Sequence, residues 1–225
     1  MIHNRRVVAI VPIKEDRERV KNKNFREFSG KPLYHHILDT LDKTYAVDQI
    51  IVDTDSVIVM KEAPELNQKV KIIERPKELR GDFVSVNRII EYDISQVDSD
   101  IYVQTHATNP LLKSETIAKA LKKFIEDEDG HDSLFSVNQF QSRFYWKDGK
   151  AINHDPKELI RTQDLDPIYE ENSLLYIFTR NSFEKHKHRI GNNPITYSTP
   201  RLESIDIDGE FEFHLAEMFA LYKDE

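Results

Sequence analysis

The sequence predicts a three-layer α/β protein, in which a mostly parallel, doubly wound sheet carries helices on both faces. Short apolar runs alternate with amphipathic segments of helical period, which is typical of repeated strand–helix units. The first run, residues 7–11 (VVAIV), is rich in β-branched side chains, and this favours a strand buried on both faces. At 225 residues the chain is long enough to bury a sizeable core. We therefore expect a single domain, residues 1–225.

The other elements follow from the same patterns in chain order. Apolar runs predict further strands at residues 49–54, 69–74, 100–105, 133–137 and 173–179. Apolar residues at helical spacing predict helices at 34–45, 84–94, 114–127 and 215–222, and the short basic segment 183–190 is a candidate helix. Ser114 is the expected N-cap of the helix that it begins. Up to residue 137 the predicted order is β-α-β-β-α-β-α-β, which favours a mostly parallel sheet.

The composition excludes several classes of protein. The chain carries 40 acidic and 32 basic side chains and a formal net charge of −8, so we expect no nucleic-acid partner. The absence of cysteine excludes disulfides, thiolate metal sites and a cysteine nucleophile, and it fits a cytoplasmic protein. No apolar stretch approaches the ~18 residues of a membrane span. No signal peptide precedes the first strand, so we expect no membrane partner.

A charged loop, residues 14–24 (KEDRERVKNKN), follows the first predicted strand. Ligands of open α/β sheets bind at the carboxyl ends of the strands. We therefore interpret this loop as a phosphate-binding loop, and the alternative is a solvated charged loop without a ligand. The glycine pattern of a P-loop or of a dinucleotide-binding fold is absent. The cations of the loop are Lys14, Arg17, Arg19, Lys21 and Lys23.

Acidic residues near two predicted strands are candidate ligands. Asp206 and Asp208 flank Ile207, and in an alternating strand residues two apart project to the same side. Two such carboxylates suit Mg²⁺, which proteins hold through one or two carboxylates together with substrate phosphates. The alternative is an exposed strand edge with two acids. Asp53 and Asp55 lie at the carboxyl end of the predicted strand 49–54, where they contact a base, a ribose or a metal, or where Asp55 caps the next helix.

Short motifs spread over residues 7–222 together resemble those of the CMP-sugar synthetases, the acylneuraminate cytidylyltransferase family. The matching motifs are Lys23-Asn24, Gly30-Lys31-Pro32-Leu33, Asp82 with Ser85, Gln104, Arg161 with Gln163-Asp164, Asn172, and Asp206-x-Asp208. The first loop departs from the family pattern. Residues 15–18 (EDRE) stand where the family has Gly-Gly-Ser-Lys, and Lys14 replaces an arginine. Thr162 and Ser173 replace an arginine and a glycine.

The resemblance implies a nucleotide-diphospho-sugar transferase-like fold and a cytidylyltransferase reaction. In that reaction the anomeric hydroxyl of an acidic 2-keto sugar attacks the α-phosphate of CTP, and a CMP-sugar and pyrophosphate are formed. The resemblance also implies a role in surface polysaccharide biosynthesis and Mg²⁺ as cofactor, with Asp206 and Asp208 as its ligands.

The resemblance further assigns roles to residues of this chain. The nucleotide-binding residues would be Lys14, Arg17, Arg19, Lys23, Asn24, Asp82 and Ser85. The acceptor would be bound by Gln104, His106, Arg161, Gln163 and Asn172, and the catalytic set would be Lys14, Arg19, Lys23 and Asp208. His106 is the residue outside the family pattern. It is either a donor or base at the substrate or a histidine that is simply hydrogen-bonded in its loop.

Residues 138–160 interrupt the alternation of strands and helices. This segment contains Phe140, Phe144, Tyr145 and Trp146, followed by the hairpin turn signal Asp148-Gly149. An exposed aromatic hairpin favours packing against another surface. The equivalent excursion in the family packs on a second subunit, which implies a homodimer with a protruding dimerisation arm. The alternative is an arm that folds back on its own domain.

Two other functions fit the same residues. The altered segment 15–18 and His106 are compatible with a nucleotidyltransferase that acts on a phosphonate or a phosphorylated small molecule. The loss of Gly-Gly-Ser-Lys is compatible with a non-catalytic homologue that binds a nucleotide.

Overall fold

The computed structural model describes residues 4–15, 22–127 and 129–222. Its strands are β1 (Val7–Ile13), β2 (Glu27–Phe28), β3 (Lys31–Pro32), β4 (Gln49–Thr54), β5 (Val70–Glu74), β6 (Ile101–Gln104), β7 (Ser133–Phe140), β8 (Ile168–Phe178) and β9 (Pro194–Ser198). Its α-helices are α1 (Leu33–Lys43), α2 (Val57–Leu66), α3 (Val86–Gln96), α4 (Ser114–Glu126), α5 (Arg180–His186) and α6 (Glu210–Leu221).

One seven-stranded sheet organises the described residues. Its strand order is β5-β4-β1-β6-β8-β7-β9, and β2 and β3 form a separate small hairpin. All neighbouring strands are parallel except for the two pairs that involve β8. The prediction of a mostly parallel α/β sheet is therefore confirmed.

β1 lies inside the sheet and is buried on both faces, because successive side chains of a strand point to opposite sides. Val7, Ala9 and Val11 pack into the larger apolar cluster, together with side chains of α1, α2 and α4. Val8 and Ile10 enter a second cluster, to which α3 and α5 contribute. The helices thus form a layer on each face of the sheet.

A third apolar cluster lies beside these layers and positions the chain before α6. Phe213 and Ala216 of α6 pack there with Phe28 and Leu33 of the β2–β3 hairpin region. Ile207, which is fully buried, belongs to the same cluster. The segment around Ile207 is therefore fixed against the main body of the domain.

The strands beyond residue 137 differ from the prediction. β9 was not predicted, because it is a short edge strand that begins with proline and has one buried apolar position. β8 begins at Ile168 instead of residue 173, because its polar first half pairs with the extension of β7. Local apolar patterns do not reveal strands whose stability depends on such distant pairing.

The predicted cap of α4 and the predicted start of α6 are wrong. Ser114 is the first residue of α4, and Lys113 takes the N-cap position without a side-chain cap. The backbone N–H of Lys113 donates to Glu203 Oε2 (3.1 Å), so a distant carboxylate occupies this end of the helix. α6 begins at Glu210 instead of residue 215, with Glu210 and Glu212 in its first turn. Acidic residues there complement the helix dipole.

The predicted arm begins inside the sheet. Residues 138–140 belong to β7 and pair with β8, so the irregular excursion covers residues 141–167. Its hairpin is confirmed, since the backbone N–H of Trp146 donates to the carbonyl of Lys150 (2.8 Å). Gly149 has a φ of 83°, a left-handed conformation that favours glycine. Among the helices described, none combines the length and the apolar character that crossing a membrane requires.

Candidate active site

A cavity of about 470 Å³ opens where the parallel strands end. Lys14 follows β1, Arg75 follows β5, and His106 lies just beyond β6, and all of them line it. This edge is where open α/β sheets bind their ligands. The other polar residues that line the cavity are Lys23, Asp82, Thr108, Ser173, Arg189, Asp206 and Asp208.

Lys14 connects the end of β1 to the loop before α3. Its Nζ donates to the carbonyl of Gly81 (2.8 Å) and to Asp82 Oδ1 (3.1 Å). The side chain of Asp82 is about half exposed, at 47%. A triphosphate that bound Lys14 would therefore compete with a solvent-accessible carboxylate, and such a pair is weak in water.

Lys23 and Asn24 lie in a short 3-10 helix, Lys23–Phe25, and both are buried. Lys23 Nζ donates to the carbonyl of Ile207 and lies 3.9 Å from Asp208 Oδ1. Asn24 Nδ2 donates to the carbonyl of Lys14 (2.9 Å). Asn24 Oδ1 is buried and accepts no hydrogen bond from the described part of the chain. The Lys-Asn pair thus fixes the backbone on both sides of the first loop.

Asp206 and Asp208 lie in an irregular segment before α6, so the predicted strand at this point is wrong. The alternation of sides nevertheless holds. Ile207 is buried and its backbone N–H donates to the carbonyl of Thr108 (2.9 Å), whereas both aspartates line the cavity. Interior packing of Ile207, not a strand ladder, directs the two carboxylates to the same side.

The donor set fits Mg²⁺ only together with a phosphate ligand. Among residues 4–15, 22–127 and 129–222, no group of three or more His, Cys, Asp or Glu side chains forms a metal site. Asp206 and Asp208 supply two of the three carboxylates that line the cavity, and the third, Asp82, pairs with Lys14. Mg²⁺ is commonly held by one or two carboxylates, with water and substrate phosphates as its other ligands.

A buried amide network lies at another wall of the cavity. Gln104 is fully buried behind the lining, and its Nε2 lies 3.0 Å from His106 Nε2 and donates to the carbonyl of Thr105 (3.0 Å). Its Oε1 accepts from Arg189 Nη1 (2.6 Å). The guanidinium of Arg189 stacks 3.6 Å from the ring centroid of Tyr176. Gln104 therefore positions two cavity-lining side chains.

Arg75 enters the cavity from a fully buried polar cluster. Its Nε donates to Asp53 Oδ1 and its Nη2 to the Asp53 carbonyl (3.1 Å). Asp93 packs beside Asp53, and burial, followed by the negative charge of Asp53, raises the pKa of Asp93 to about 9. Burial also raises the pKa of Asp53, and a protonated Asp93 can donate a hydrogen bond to that carboxylate. Arg75 Nη1 is buried and has no acceptor among the described residues.

The two aspartates near the end of β4 thus have structural partners. Asp53 is committed to Arg75, and Asp55 Oδ1 accepts from the backbone N–H of Glu15 (2.9 Å). Ser56 takes the N-cap position of α2, so the expected cap at Asp55 is wrong. Asp55 instead holds the chain just after β1, through its hydrogen bond with the backbone N–H of Glu15.

Several predicted site residues do not line the cavity. Ser85 is the N-cap of α3, and its Oγ accepts from the backbone N–H of Asn87 (3.3 Å). Asn172 is buried at a β-bulge, where its Oδ1 accepts from Ser136 Oγ (2.6 Å) and its Nδ2 donates to Thr199 Oγ1 (2.8 Å). Asn172 therefore stabilises the junction of β7 and β8.

Arg161 and Gln163 lie at the base of the excursion. The Arg161 guanidinium is 77% exposed and donates to both carboxylate oxygens of Asp164 (2.7 and 3.0 Å). Gln163 is exposed in the 3-10 helix Thr162–Asp164, and neither residue lines the cavity of its own chain. Arg17 and Arg19 lie outside the described residues.

Three cavity residues were missed or undervalued in the sequence. Arg75 could have been identified from the sequence, because it directly follows a predicted strand at the edge of the sheet where ligands bind. Ser173 could also have been identified, since it replaces a family glycine, and its φ of 56° explains why glycine suits the position. Nothing in the local sequence except its basic segment singles out Arg189, because its partners Gln104 and Tyr176 are distant in sequence.

The doubly wound sheet places lysines and aspartates around one cavity at its strand ends, an arrangement that suits the phosphoryl transfer of a nucleotidyltransferase. Residues 8–223 match the family model described as cytidylyltransferase. The chain therefore belongs to the cytidylyltransferase family, and its resemblance to the CMP-sugar synthetases is confirmed.

Individual proteins show how far the similarity extends. The chain is 24% identical over 227 residues to the pseudaminic acid cytidylyltransferase of Campylobacter jejuni, covering 96% of both chains. It is 25% identical to the N-acylneuraminate cytidylyltransferase of Streptococcus agalactiae serotype V, covering 92% of this chain and 51% of that one. A solved CMP:2-keto-3-deoxy-manno-octonic acid synthetase in complex with CTP shares the fold, with a TM-score of 0.72, 13% identity and coverage of 97% and 99%.

Proposed function

We propose that this protein is a Mg²⁺-dependent cytidylyltransferase that transfers CMP from CTP to an acidic 2-keto sugar. The placement of Lys14, Lys23, Asp206 and Asp208 around one cavity carries the proposal. Phosphoryl transfer depends mainly on positioning and on neutralising charge, and these side chains supply both. Relatives named for pseudaminic and N-acylneuraminic acid support an acidic sugar as acceptor. The product would be an activated sugar for surface polysaccharide biosynthesis.

The triphosphate would lie against Lys14 and Lys23, on either side of the first loop. Lys23 is fixed by its contacts to Ile207 and Asp208, so it is preorganised for a developing charge. Arg17 and Arg19 remain predicted ligands of the same triphosphate. Asn24, Asp82 and Ser85 remain predicted contacts to the cytidine, and among them Asp82 lines the cavity.

Asp206 and Asp208 would hold Mg²⁺ together with the triphosphate. When bound, the ion would neutralise phosphate charge and polarise the α-phosphate. Lys23 and Asp208 lie close enough to orient one another, so a cation and a metal ligand face the same phosphates. The acceptor hydroxyl would approach the α-phosphate from the wall formed by His106, Ser173 and Arg189.

Pyrophosphate release tests the proposed function. Purified protein with Mg²⁺ is assayed with ATP, GTP, CTP and UTP, each against 2-keto sugar acids, phosphonates and phosphorylated amino acids. We expect release with CTP and a sugar acid. Release only with a phosphorus-containing acceptor would overturn the substrate and leave the reaction type standing. Binding of CTP without release from any pair would favour a non-catalytic homologue.

Asp208→Asn tests the metal assignment. We expect turnover to fall by about 100-fold or more, because removing a preorganised charge at a transferring phosphate has that order of effect. The Mg²⁺ concentration for half-maximal activity should rise in Asp206→Asn. Glu210→Gln is the matched control, since Glu210 pairs with Arg26 and does not line the cavity. Full turnover in Asp208→Asn would show that the metal assignment is wrong.

The excursion supports a homodimer as part of the same proposal. Its exposed apolar side chains are Tyr145, Trp146, Ile152, Leu159 and Ile160. Exposed apolar side chains concentrated in one segment favour an interaction site. Light scattering at micromolar concentration should give twice the monomer mass of 26.5 kDa. Trp146→Ser with Tyr145→Ser should shift the population toward monomer, and a monomeric parent protein would contradict the dimer.

A further inference from the structure

We infer that Arg189 binds the carboxylate of the acceptor, and that it does so in place of Arg161. The inference rests on the proposed function and identifies which residue of this chain reads the acid group. Arg189 lines the cavity, whereas Arg161 does not. The family resemblance assigns Arg161 to the acceptor without naming the group it binds, and Arg189 lies in a different segment, between α5 and β9.

The Arg189 guanidinium is held in one orientation. Gln104 Oε1 accepts from its Nη1 at 2.6 Å, and the Tyr176 ring centroid lies 3.6 Å from its central carbon. Both partners are fully buried and belong to the adjacent strands β6 and β8. A guanidinium has five N–H donors in a planar fork, and within the described residues the hydrogen bond to Gln104 is the side-chain bond that Arg189 makes. The remaining N–H groups of the Arg189 guanidinium are therefore donors for a ligand in the cavity.

The charge around Arg189 suits one negative charge on the ligand. Its side chain is 12% exposed, and burial lowers the pKa of Arg189, which indicates a cation short of compensating contacts. Glu171 Oε1 is the acid nearby, at 3.9 Å, and it also accepts from the Tyr176 hydroxyl. Glu171 is 44% exposed, so water screens its charge and a monoanionic carboxylate could still bind in direct contact with Arg189, whereas a dianionic phosphate would add more negative charge beside Glu171.

The chemistry of a 2-keto sugar acid makes this placement useful for transfer. Its carboxylate is attached to the anomeric carbon, which also bears the attacking hydroxyl. A carboxylate fixed by a bidentate arginine therefore fixes the hydroxyl two bonds further on. Lys14 and Lys23, the predicted triphosphate ligands, line the same cavity as Arg189. Anchoring the acid at Arg189 would thus set the direction from which the hydroxyl meets the α-phosphate.

Arg161 has a different environment. Its guanidinium is 77% exposed, and it is engaged on both oxygens of Asp164, three residues along the chain. In its own subunit this arginine lies away from the cavity lining. A second subunit is the route by which Arg161 would still reach an acceptor, and the experiment below therefore includes it.

The experiment tests whether Arg189 recognises the acid group of the acceptor. Wild type, Arg189→Lys, Arg189→Met and Arg161→Met are assayed with CTP and with N-acetylneuraminate, pseudaminate and 3-deoxy-manno-octulosonate, each as the free acid and as the C1 methyl ester. In wild type we expect the ester to lower kcat/KM by about tenfold to 100-fold, the range for a charged hydrogen bond. In Arg189→Met the kcat/KM for the acid should fall by about the same factor. The kcat/KM values for acid and ester should then agree within about threefold.

Arg180→Met is the matched control. Arg180 also lies over a buried tyrosine ring, at 5.8 Å from Tyr102, but it donates to the carbonyls of Ile94 and Val97 outside the cavity. Its removal should leave the acid-to-ester ratio at the wild-type value. Arg189→Lys guards against misfolding of the methionine variant, because it keeps the charge and loses the fork. The KM for CTP should change less than about threefold in every variant that folds.

The outcomes separate the inference from the proposed function. An active wild type whose acid-to-ester ratio persists in both Arg189 variants overturns the inference and leaves the function standing. Loss of the ratio in Arg161→Met instead would assign the carboxylate to that arginine. An active wild type that uses only phosphonates overturns the carboxylate as ligand. A wild type that releases no pyrophosphate with any acceptor overturns the proposed function, and the inference falls with it.

Discussion

Lys23 reaches from the first loop to the segment before α6, where its Nζ donates to the carbonyl of Ile207 and lies 3.9 Å from Asp208 Oδ1. The Lys23 side chain is 2% exposed, so its charge has almost no contact with water. A buried charge is tolerated where protein groups replace the lost hydration. These contacts connect a predicted triphosphate ligand to a predicted metal ligand.

Lys23→Met should remove the contact between the predicted triphosphate ligand, Lys23, and the predicted metal ligand, Asp208. Methionine keeps most of the length and apolar contact of the side chain but removes the cation. We expect kcat to fall about 100-fold or more, because a preorganised donor at the phosphates is lost. The free energy of unfolding should fall by about 1–3 kcal/mol, since the buried Ile207 carbonyl loses its side-chain partner. Steady-state pyrophosphate release and urea unfolding measure the two effects.

Lys69→Met is the control for Lys23→Met. Lys69 Nζ makes the same pair of contacts elsewhere, to the Asp42 carbonyl (2.8 Å) and to Asp42 Oδ1 (3.8 Å). Its removal should cost some stability and leave kcat at the wild-type value. Equal turnover in Lys23→Met and wild type would show that Lys23 has a structural role only.

Asp82→Asn decides between two roles for Asp82. If Asp82 mainly competes with the triphosphate for Lys14, its neutralisation should tighten CTP binding about twofold to fivefold, the range for a partly exposed ion pair. The effect should shrink in high salt, because exposed pairs are screened. Weaker binding of CTP would instead support the predicted contact of Asp82 to the nucleotide. Calorimetric titration measures the affinity of each variant for CTP. Glu78→Gln, which removes an exposed acid in the same region, is the control for the change in net charge.

The first half of the fold was predictable, because its strands are buried and therefore show an apolar pattern in the local sequence. The strand at 49–54 has the predicted bounds, and β1 extends the predicted run by Pro12 and Ile13. β9 and the first half of β8 were not predictable, because they are half polar and are stabilised by pairing to β7. Their stability depends on contacts that no window of sequence contains.

The site was predictable where chemistry follows a strand end and less so where it depends on distant packing. Lys14, Lys23, Asp206 and Asp208 were named from their motifs and meet in one cavity. Arg189 reaches the same cavity through Gln104, which is 85 residues away in sequence. Asn172 matched a motif, yet in this fold its amide stabilises a bulge. Motif positions therefore located the region better than they assigned the individual contacts.

Ser173→Gly should stabilise the protein. Ser173 has a φ of 56°, a left-handed conformation that costs an L-residue about 1–2 kcal/mol and costs glycine little. Glycine also loses more chain entropy on folding, so we expect a net gain of about 0.5–1 kcal/mol and a rise in Tm of about 1–4 °C. Ser173→Ala, which keeps the strain and removes the hydroxyl, is the control. Scanning calorimetry measures both, and a Tm gain in the alanine variant would contradict the strain argument.

The Arg75, Asp53 and Asp93 cluster predicts a specific dependence of stability on pH. All three side chains are fully buried. The pKa of Asp93, raised to about 9 by burial and by Asp53, lies far above the ~3.9 of an aspartate in an unfolded chain. Between these values the folded protein holds a proton that the unfolded chain has released. The free energy of unfolding therefore falls as the pH rises from about 4 to about 9.

Asp93→Asn should remove this dependence, because its amide donates to Asp53 at every pH without holding a titrating proton. The stability of the variant relative to wild type should therefore increase with pH, by up to about 1.4 kcal/mol per unit between pH 5 and pH 9. Urea unfolding at pH 5, 7 and 9 measures the difference. Asp98→Asn, at a side chain that is 89% exposed, reports the effect of removing a surface carboxylate. A constant difference between Asp93→Asn and wild type across this range would mean that Asp93 is ionised in the folded protein, and that Arg75 neutralises both acids of the cluster.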